Sequence, residues 1–373
     1  MTQDDPGVVD AMCGDAELVV LCGPGGVGKT TLAAATGVAM AMRGRRVLVL
    51  TVDPARRLAA ALGLADTSNV EVAVEVPEAA GALTMAMIDT HASWNDMIAR
   101  HAPDAATKDR VLANDLYATL TSRFVHSHDY VVADRLYEAH VSGNYDLIVV
   151  DTPPSRNALS ILDAPKRMQQ FFGSRLLRLL TGGGQASLLN VAARPFFLVA
   201  DLILGARFLQ DISEFFTLFR SLEAGVVGHA RGIDALLASP RARYVIVASG
   251  EPVALREARH LVGALDARGM RRSAVVLNRL TPRSLVAGLA ESMAALTNGV
   301  DSLRTAGDES GASVLAQALD AADRVLAAAR READAVDTAR SWSDIVARVE
   351  MRSSDPIGVD ELMHLAGSMQ RAD

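Results

Sequence analysis

The sequence predicts an α/β fold in which a doubly wound, mainly parallel sheet carries helices on both faces. Short apolar runs alternate with helix-like segments along the chain, which is typical of a parallel sheet covered on both sides. With 373 residues, of which 50% are hydrophobic, the chain can bury a large core. Two stretches rich in helical pattern interrupt the alternation, and they predict an inserted α-helical subdomain.

The first apolar run, Leu18–Cys22, leads into the segment Gly23-Pro-Gly-Gly-Val-Gly-Lys-Thr30 and then into a helix-like segment, Leu32–Met42. This is the pattern G-x-x-x-x-G-K-[ST] in its required setting, with a strand before it and a helix after it. Glycines let consecutive backbone N–H groups face a phosphate, and the helix N-terminus adds partial positive charge. A glycine-rich turn without a ligand is the alternative, and both flanks argue against it. The motif therefore predicts a P-loop NTPase, with residues 23–31 as its P-loop.

The P-loop supplies candidate ligands for ATP and Mg²⁺. Lys29 can reach the β- and γ-phosphates, and the Thr30 hydroxyl can ligate Mg²⁺. Lysine occurs at only three positions in the chain, so its presence at the phosphate position strengthens the interpretation. The residues expected to bind the nucleotide here are Gly25, Gly26, Val27, Gly28, Lys29, Thr30 and Thr31.

Later elements continue the alternation. Further strands are predicted at Arg45–Thr51, Leu83–Ile88, Tyr145–Asp151, Tyr244–Ser249, Ser273–Asn278 and Val346–Met351. Helices are predicted at Arg57–Leu62, Val253–Arg268, Ser313–Val336 and Asp360–Ser368, and Thr90–Val141 is expected to be helical without a clear strand.

Three local features predict where helices begin and end in the rest of the chain. Pro165 is expected in the first turn of a helix that Gly182–Gly184 ends. The segment from about Ser187 to Leu237 is expected to be a long helical stretch. Arg304–Gly311 is small and polar, which predicts a mobile loop.

These elements are expected to form a single ATPase domain over residues 1–373. Its core covers about residues 15–88, 144–162 and 240–373. The helical subdomain covers about residues 89–143 and 163–239.

Two acidic residues follow predicted strands, at the edge of the sheet where ligands bind in doubly wound folds. Asp151 ends an apolar strand, which is where a carboxylate that holds the Mg²⁺ shell is found. Asp53 follows another strand and could position or deprotonate the attacking water. The alternative for Asp53 is a helix N-cap before Pro54. The predicted catalytic residues are therefore Lys29, Asp53 and Asp151.

Asn278 ends a later strand and is a candidate reader of the adenine base. Its side-chain amide offers one donor and one acceptor, which matches the N6 and N7 pattern of adenine. A guanine reader would usually show N-K-x-D, whereas the sequence here is Asn278-Arg-Leu-Thr281. ATP is therefore favoured over GTP, although an asparagine that caps a loop is an equal alternative.

Phenylalanine is concentrated in one part of the chain. Eight of the nine lie between residues 171 and 219: Phe171, Phe172, Phe196, Phe197, Phe208, Phe215, Phe216 and Phe219. Packing of core helices is the simpler explanation for any single one. Adjacent pairs, however, cannot point to the same face of a helix, so a hydrophobic surface for a client, a second subunit or a membrane is the alternative prediction.

Composition limits the remaining classes of function. The net charge of −7 and a pI near 5.7 argue against nucleic acid as a partner. The chain has two cysteines, Cys13 and Cys22, and no C-x-x-C, so no structural zinc is expected. His126, His128 and His140 match no compact metal site. The N-terminus has no secretory pattern, which predicts a cytoplasmic protein, with peripheral contact at a membrane left open.

Four motifs in order resemble those of a known family. They are Gly23–Thr31, Thr51-Val-Asp-Pro-Ala55, Asp151-Thr-Pro-Pro154 and Val275-Val-Leu-Asn278. Together they are similar to the arsenical pump-driving and tail-anchored-protein-targeting ATPases, also called anion-transporting ATPases, within the deviant-Walker P-loop class.

The resemblance implies a dimer that closes on ATP and opens after hydrolysis. Asp53 would activate the water, Asp151 would lie near Mg²⁺, and Asn278 would read adenine. The phenylalanine-rich helices would match the subdomain that binds a client or partner.

The sequence departs from this family at several positions. Pro24 occupies the place of the signature lysine that reaches the nucleotide of the other subunit. Arg156 replaces the usual glycine of switch II and Arg56 the usual His or Ser of switch I, so either arginine could replace the lost charge. The zinc-binding C-x-x-C of the targeting branch is missing, and two cysteines do not provide the thiolate cluster that arsenite needs.

The leading hypothesis is a Mg²⁺-dependent, dimeric ATPase that couples closure to binding of a hydrophobic protein client or a membrane-protein partner. An alternative is a poorly hydrolysing regulatory subunit, in a heterodimer with a paralogue that carries the signature lysine. A metalloid efflux ATPase and a DNA-partition ATPase are less favoured.

Overall fold

The computed structural model describes most of the chain. The described residues are 7–52, 62, 69–114, 116–117, 127–152, 160–175, 177, 214–354, 356 and 358–372.

A single nine-stranded sheet forms the centre of the described structure. In chain order its strands are β1 (Leu18–Cys22), β2 (Arg46–Thr51), β3 (Val72–Val74), β4 (Ala82–Met87), β5 (Leu147–Asp151), β6 (Ala242–Ser249), β7 (Arg272–Leu280), β8 (Val346–Glu350) and β9 (Gln370–Arg371). Their order in the sheet is β3-β4-β2-β5-β1-β6-β7-β8-β9. Neighbouring strands are parallel except at the two edges, where β3 pairs with β4 and β8 with β9 in antiparallel fashion.

Helices cover both faces of this sheet. They are α1 (Val8–Cys13), α2 (Lys29–Met42), α3 (Thr90–His101), α4 (Ala105–Leu112), α5 (Ser127–Val141), α6 (Ser160–Phe172), α7 (Glu223–Leu237), α8 (Pro252–Asp266), α9 (Arg283–Thr305), α10 (Glu309–Arg340) and α11 (Val359–Ser368). The predicted α/β class, with a doubly wound and mainly parallel sheet, is confirmed.

The sequence explains why the central strands are buried on both sides. Every residue of β1 and of β5 is buried, as expected for apolar strands without polar alternation. Their side chains point alternately into two separate cores. One core lies under α1, α2 and α11, and the other lies under α3, α5, α6 and α7.

The strand order places the ligand crevice beside β1. In the strand order, β2 lies on one side of β1, and the later strands β6 and β7 lie on the other side, so the direction of strand addition reverses at β1. In doubly wound sheets ligands bind outside the carboxyl end of the strand where this reversal occurs. That end of β1 is the start of the P-loop.

Two expectations about the helical region are wrong. Pro165 is the sixth described residue of α6 instead of lying in its first turn, and α6 ends at Phe172, before Gly173. Gly182–Gly184 lies outside the described residues. The expected long stretch up to Leu237 is also interrupted, because a turn at residues 221–222 separates helical residues 214–220 from α7.

The expected loop at Arg304–Gly311 is a tight turn between two long helices, α9 and α10. Gly307 takes a left-handed φ of 81°, and Asp308 caps α10 by accepting a hydrogen bond from the Gly311 N–H at 2.9 Å. The small and polar residues therefore correctly indicated a break between helices. The break covers only the three residues 306–308, so the predicted loop was too long and its ends belong to α9 and α10. Helix α9 itself was not predicted, because most of its surface is exposed and its apolar pattern is weak.

Among the described residues, no helix combines the length and the apolar character needed to span a bilayer.

Candidate nucleotide-binding site

The P-loop connects β1 to α2 at the carboxyl edge of the sheet, in the setting that the sequence predicts. Gly23 passes so close to β6 that an added Cβ would lie 2.0 Å from the carbonyl oxygen of Val247. Gly28 forms the N-cap of α2 with a φ of 89°, in the left-handed region that favours glycine. Gly25 and Gly26 are exposed at the top of the loop. The glycines therefore serve both the close approach to β6 and the turn into α2.

Lys29 folds back over the loop from the first residue of α2. Its Nζ donates hydrogen bonds to the carbonyl oxygens of Gly23 at 3.0 Å and Pro24 at 2.9 Å. The residue is 5% exposed, and this burial lowers the pKa of the ammonium while the nearby Asp151 carboxylate opposes the shift. An ammonium has three N–H donors, so one more acceptor, such as a phosphate oxygen, can be accommodated.

Asp151 joins three segments of the site. Its Oδ2 accepts hydrogen bonds from the Thr30 hydroxyl at 2.5 Å and from the Thr51 hydroxyl at 3.1 Å. The carboxylate is 3% exposed. Thr152, the next residue, donates from its hydroxyl to the carbonyl oxygen of Leu21 at 2.7 Å. The P-loop helix and the ends of β1, β2 and β5 are thus connected through side chains.

Strand register explains why these side chains meet. Asp151 is the Cα partner of Leu21 in β1 and of Thr51 in β2. The three strands therefore end at the same level, and their last side chains converge on the start of α2. Sequence reasoning singled out Thr30 and Asp151 but missed Thr51 and Thr152. Each missed threonine ends or follows a predicted strand, and that position was the available signal.

The donor set fits a Mg²⁺ ion. A carboxylate and threonine hydroxyls are hard oxygen ligands, and Mg²⁺ prefers to keep several waters and use one or two protein oxygens. Thr30 and Asp151 are the residues that would hold it. Thr31, the third residue of α2, is half-buried beside them.

Asn278 braces the P-loop from the end of β7. Its Nδ2 donates to the carbonyl oxygen of Val27 at 2.8 Å, and its Oδ1 accepts from the Arg279 N–H at 2.9 Å. A Cβ added at Gly28 would lie 2.4 Å from that same Nδ2, so glycine is needed there for space as well as for conformation. Its role as adenine reader stays a prediction.

A pocket of about 650 Å³ opens beside the P-loop. Its walls include Pro24 to Val27, the turn from β6 into α8, and the α10 residues Arg331 and Glu332. Glu332 fixes α10 to the segment after β7, because its two carboxylate oxygens accept from the backbone N–H and the hydroxyl of Thr281 at 2.8 and 3.0 Å. The volume is in the range of small-molecule pockets.

Pro24 is buried in the wall of this pocket. It contributes a carbonyl oxygen to Lys29, but it has neither a charged side chain nor a backbone N–H. Asp53, Arg56 and Arg156 lie outside the described residues, so their predicted roles stay predictions.

Five of the eight phenylalanines lie within the described residues, and they form one aromatic cluster between α6 and residues 214–220. In the contacting pairs of this cluster the ring centroids are 5.3–6.4 Å apart. These pairs include Phe171–Phe172, Phe172–Phe219 and Phe215–Phe216. Such distances are typical of packed aromatic pairs.

Burial divides the cluster into two groups. Phe172, Phe215 and Phe219 are 2–7% exposed, so these three are core residues and the expectation that they face a partner is corrected. Phe171 and Phe216 are half-buried and pack against the core. The two members of an adjacent pair therefore contact each other at the edge of the core, and a partner surface could include only Phe171 and Phe216 among the described residues. Phe196, Phe197 and Phe208 lie outside the described residues.

Both cysteines are buried thiols on opposite faces of the sheet. Cys13 belongs to the core under α1 and α2, whereas Cys22 belongs to the other core. Burial raises the pKa of each thiol to about 12. Both thiols are therefore expected to be protonated at neutral pH.

Three known proteins are similar to this chain in sequence. An uncharacterized protein of Streptomyces coelicolor is 29% identical over 266 residues, which cover 71% of this chain and 62% of that protein. An Aquifex aeolicus protein, provisionally named as arsenical pump-driving ATPase 1, is 22% identical over 289 residues, which cover 72% of this chain and 64% of that protein. The chromosome partitioning protein ParA of Caulobacter vibrioides is 28% identical over 137 residues, which cover 37% of this chain and 47% of that protein. The chain thus spans less than two thirds of the length of each of these relatives.

The family model described as anion-transporting ATPase matches residues 16–291. The matched region starts before β1, contains the P-loop, Thr51, Asp151 and Asn278, and ends in α9. The chain therefore belongs to the anion-transporting ATPase family.

Proposed function

We propose that this protein binds Mg²⁺ and ATP at the P-loop, hydrolyses ATP, and uses the nucleotide to control binding of a hydrophobic protein client or membrane-protein partner. One observation carries the ATPase part. The buried Asp151 carboxylate accepts from the Thr30 and Thr51 hydroxyls and interacts electrostatically with the Lys29 ammonium, at the edge of the sheet where ligands bind.

Each side chain has a role that follows from its position. The P-loop N–H groups at the start of α2 bind phosphate oxygens, and Lys29 offsets their negative charge. Thr30 would supply an oxygen atom directly to Mg²⁺, and Asp151 would hold the ion through a bound water. When bound, the ion would neutralise charge on the β- and γ-phosphates. Thr51 keeps the Asp151 carboxylate oriented. Asp53 remains the candidate for positioning the attacking water.

Replacement of Lys29 tests the ATPase proposal, and the chain offers a matched control. Lys29→Ala should lower ATP turnover by about a hundredfold or more, since it removes the cation beside the transferred phosphate. Lys108→Ala should leave turnover unchanged, because Lys108 pairs on the surface of α4 with its neighbour Asp109. Equal turnover of the two variants would refute the proposed role of the P-loop.

The family resemblance implies a dimer, and two side chains support client binding. Phe171 and Phe216 extend the aromatic cluster to the surface of the helical region, where an apolar segment can pack on them. Replacing both with alanine should weaken nucleotide-dependent capture of an apolar peptide. Leu285→Ala, at a residue of α9 that is 45% exposed, is the matched control and should have no effect. Capture that is unaffected by the double variant would argue against this surface.

The second candidate function is a slowly hydrolysing subunit of a heterodimer, and Pro24 is the observation that favours it. If the missing charge limits turnover, Pro24→Lys should raise the turnover of the isolated chain, whereas Pro24→Ala should not. Sizing the chain alone and with a paralogue that carries the lysine, with and without an ATP analogue, distinguishes the two assemblies. A fully active homodimer of the natural sequence would contradict the heterodimer.

Two other functions are less well supported. Metalloid efflux needs several soft thiolates together, and the chain's two cysteines are buried on opposite faces of the sheet. The net charge of −7 argues against DNA partition.

A further inference from the structure

A cluster of charged and titratable side chains lies between three helices, away from the P-loop. It contains Arg100 and His101 at the end of α3, Asp134 and Glu138 on α5, and His229 on α7. Asp134 is 2% exposed and forms the centre of the cluster. A buried carboxylate needs partners for both of its oxygens. The partners of Asp134 show what the cluster can bind.

The two oxygens of Asp134 face different groups. Its Oδ2 accepts from an Arg100 guanidinium N–H at 2.6 Å. Its Oδ1 lies 3.3 Å from Nδ1 of His229 and 3.9 Å from Nε2 of His101. Burial acts to raise the pKa of Asp134, but the surrounding His101, His229 and Arg100 side chains outweigh it and hold the pKa well below its usual range. The carboxylate is therefore ionised at neutral pH.

His229 lies between two carboxylates. Its Nδ1 faces Asp134, and its Nε2 lies 3.5 Å from Oε1 of Glu138. A neutral imidazole has one N–H and can donate to only one of them. If Nε2–H donates to Glu138, the lone pair of Nδ1 faces Asp134 Oδ1, and a metal cation between these two atoms would bind both of them. A histidine that donates its outer N–H to a carboxylate is the usual arrangement around protein-bound metals.

His101 faces the same oxygen, and its ring lies edge-to-face against the ring of His229 at a centroid distance of 4.5 Å. Its side chain is 5% exposed, and within the described residues its buried Nε2 has no hydrogen-bond partner. Gly225 on α7 makes room for this ring, since a Cβ there would lie 2.6 Å from Nδ1 of His101. An unpaired buried imidazole nitrogen is costly unless something binds it.

The three atoms have the spacing of a metal site. His101 Nε2, Asp134 Oδ1 and His229 Nδ1 all lie within 4.8 Å of one another. Ligands with bonds of about 2.0–2.1 Å around a tetrahedral zinc are roughly 3.3 Å apart, so small rotations of the rings would complete the geometry. Two imidazoles and one carboxylate suit Zn²⁺ better than Mg²⁺ or Ca²⁺, which prefer oxygen.

We propose that His101, Asp134 and His229 bind one Zn²⁺ ion that links α3, α5 and α7. Water completes the coordination on the side of His229, whose ring is 24% exposed. Glu138 positions His229, and Arg100 directs Asp134 Oδ1 toward the metal. The absence of C-x-x-C led to the expectation of no structural zinc. The site proposed here uses histidine and aspartate ligands instead of cysteines. Its three ligands come from distant parts of the chain, so no local spacing pattern reveals it.

The position of the site suggests a structural role. Helix α3 carries Trp94, whose ring contacts Phe219 at a centroid distance of 6.5 Å. Helix α7 begins four residues after Phe219. A metal that joins α3 to α7 would therefore stabilise the helices beside the aromatic cluster.

Zinc binding by the full-length protein tests the proposal. The protein is stripped with a chelator, and Zn²⁺ is then titrated with excess Mg²⁺ present to occupy sites built from oxygen. Binding of one Zn²⁺ per chain, with a rise of several degrees in Tm, is expected. His101→Gln and His229→Gln should each weaken binding at least tenfold and abolish the rise in Tm, and Glu138→Gln should weaken binding about 10–100-fold.

His140→Gln is the matched control, because His140 lies on α5 outside the cluster and should leave zinc binding unchanged. His229 is partly exposed, so His229→Gln is expected to fold, and its circular dichroism spectrum checks this. Absence of zinc binding and of any rise in Tm in the unaltered protein would overturn the proposal. So would equal zinc affinity in His229→Gln and His140→Gln, since the cluster would then be an ion-pair network without a metal.

Discussion

At the scale of single residues, the site depends on hydroxyl groups that fix a buried carboxylate. Thr51 is 1% exposed, and its hydroxyl donates to Asp151 at the point where β2 and β5 end together. A hydrogen bond to a charged group stabilises a protein more than one between neutral groups. Thr51 is therefore expected to contribute both to stability and to the geometry around Mg²⁺.

Thr51→Val removes this donor while keeping the shape of the side chain. We expect the free energy of unfolding to fall by about 1–3 kcal/mol and ATP turnover to fall by about tenfold, because one of the two hydroxyl donors to Oδ2 is lost. Denaturant unfolding and a turnover assay measure the two effects.

Thr36→Val is the control for this prediction. Thr36 is also fully buried, but its hydroxyl donates to the neutral carbonyl of Leu32 within α2 and not to a carboxylate. This variant should change both quantities little. A Thr51→Val protein that behaves like Thr36→Val would mean that Thr30 alone is enough to orient Asp151.

Local sequence patterns determined how much of the site could be predicted. The P-loop and Asp151 were found because glycine spacing and a terminal carboxylate are unusual patterns. Thr51 was missed because a threonine at the end of a strand is common and its partner is distant in sequence. The groups around Asp134 could not be found, because only the packing of three helices brings them together.

At the scale of elements, the antiparallel pair α9 and α10 shows how caps fix helix boundaries. Asp308 accepts from the Gly311 N–H, and it is the N-cap residue directly before α10. A side-chain oxygen at this position satisfies one of the unpaired N–H groups of the first turn.

Asp308→Ala should therefore lower the free energy of unfolding by about 1 kcal/mol, within the usual range for lost N-caps. Asp320→Ala in the same helix is the control, since Asp320 makes an exposed pair with Arg324 and should contribute less than about 0.5 kcal/mol. Equal effects of the two substitutions in denaturant unfolding would show that the cap does not determine the start of α10.

Element boundaries were predicted well for the core and poorly for the periphery. Strands β1, β2, β4, β5, β6, β7 and β8 were found because most residues of each strand are apolar. The edge strands β3 and β9 were missed, since they are short and exposed to solvent on part of their surface. Pro165 was misplaced because proline is usual in a first helical turn, whereas here a buried position inside α6 accepts it.

At the scale of the whole molecule, one sheet separates two cores, and each core contains one cysteine. Cys13 and Cys22 are both 0% exposed, and burial raises the pKa of each thiol to about 12. Thiol reagents react with the thiolate, so both residues should be protected in the folded protein. Cooperative unfolding of the sheet would expose both at once.

We therefore expect Cys13 and Cys22 to react with an alkylating reagent at the same rate, and only through global unfolding. Peptide mapping by mass spectrometry across a denaturant series should give the same free energy of opening for both residues. ATP with Mg²⁺ should slow both reactions to the same extent, because ligand binding stabilises the folded state as a whole. Faster labelling of Cys13 would contradict this expectation, since it would show that α1 detaches from the sheet separately.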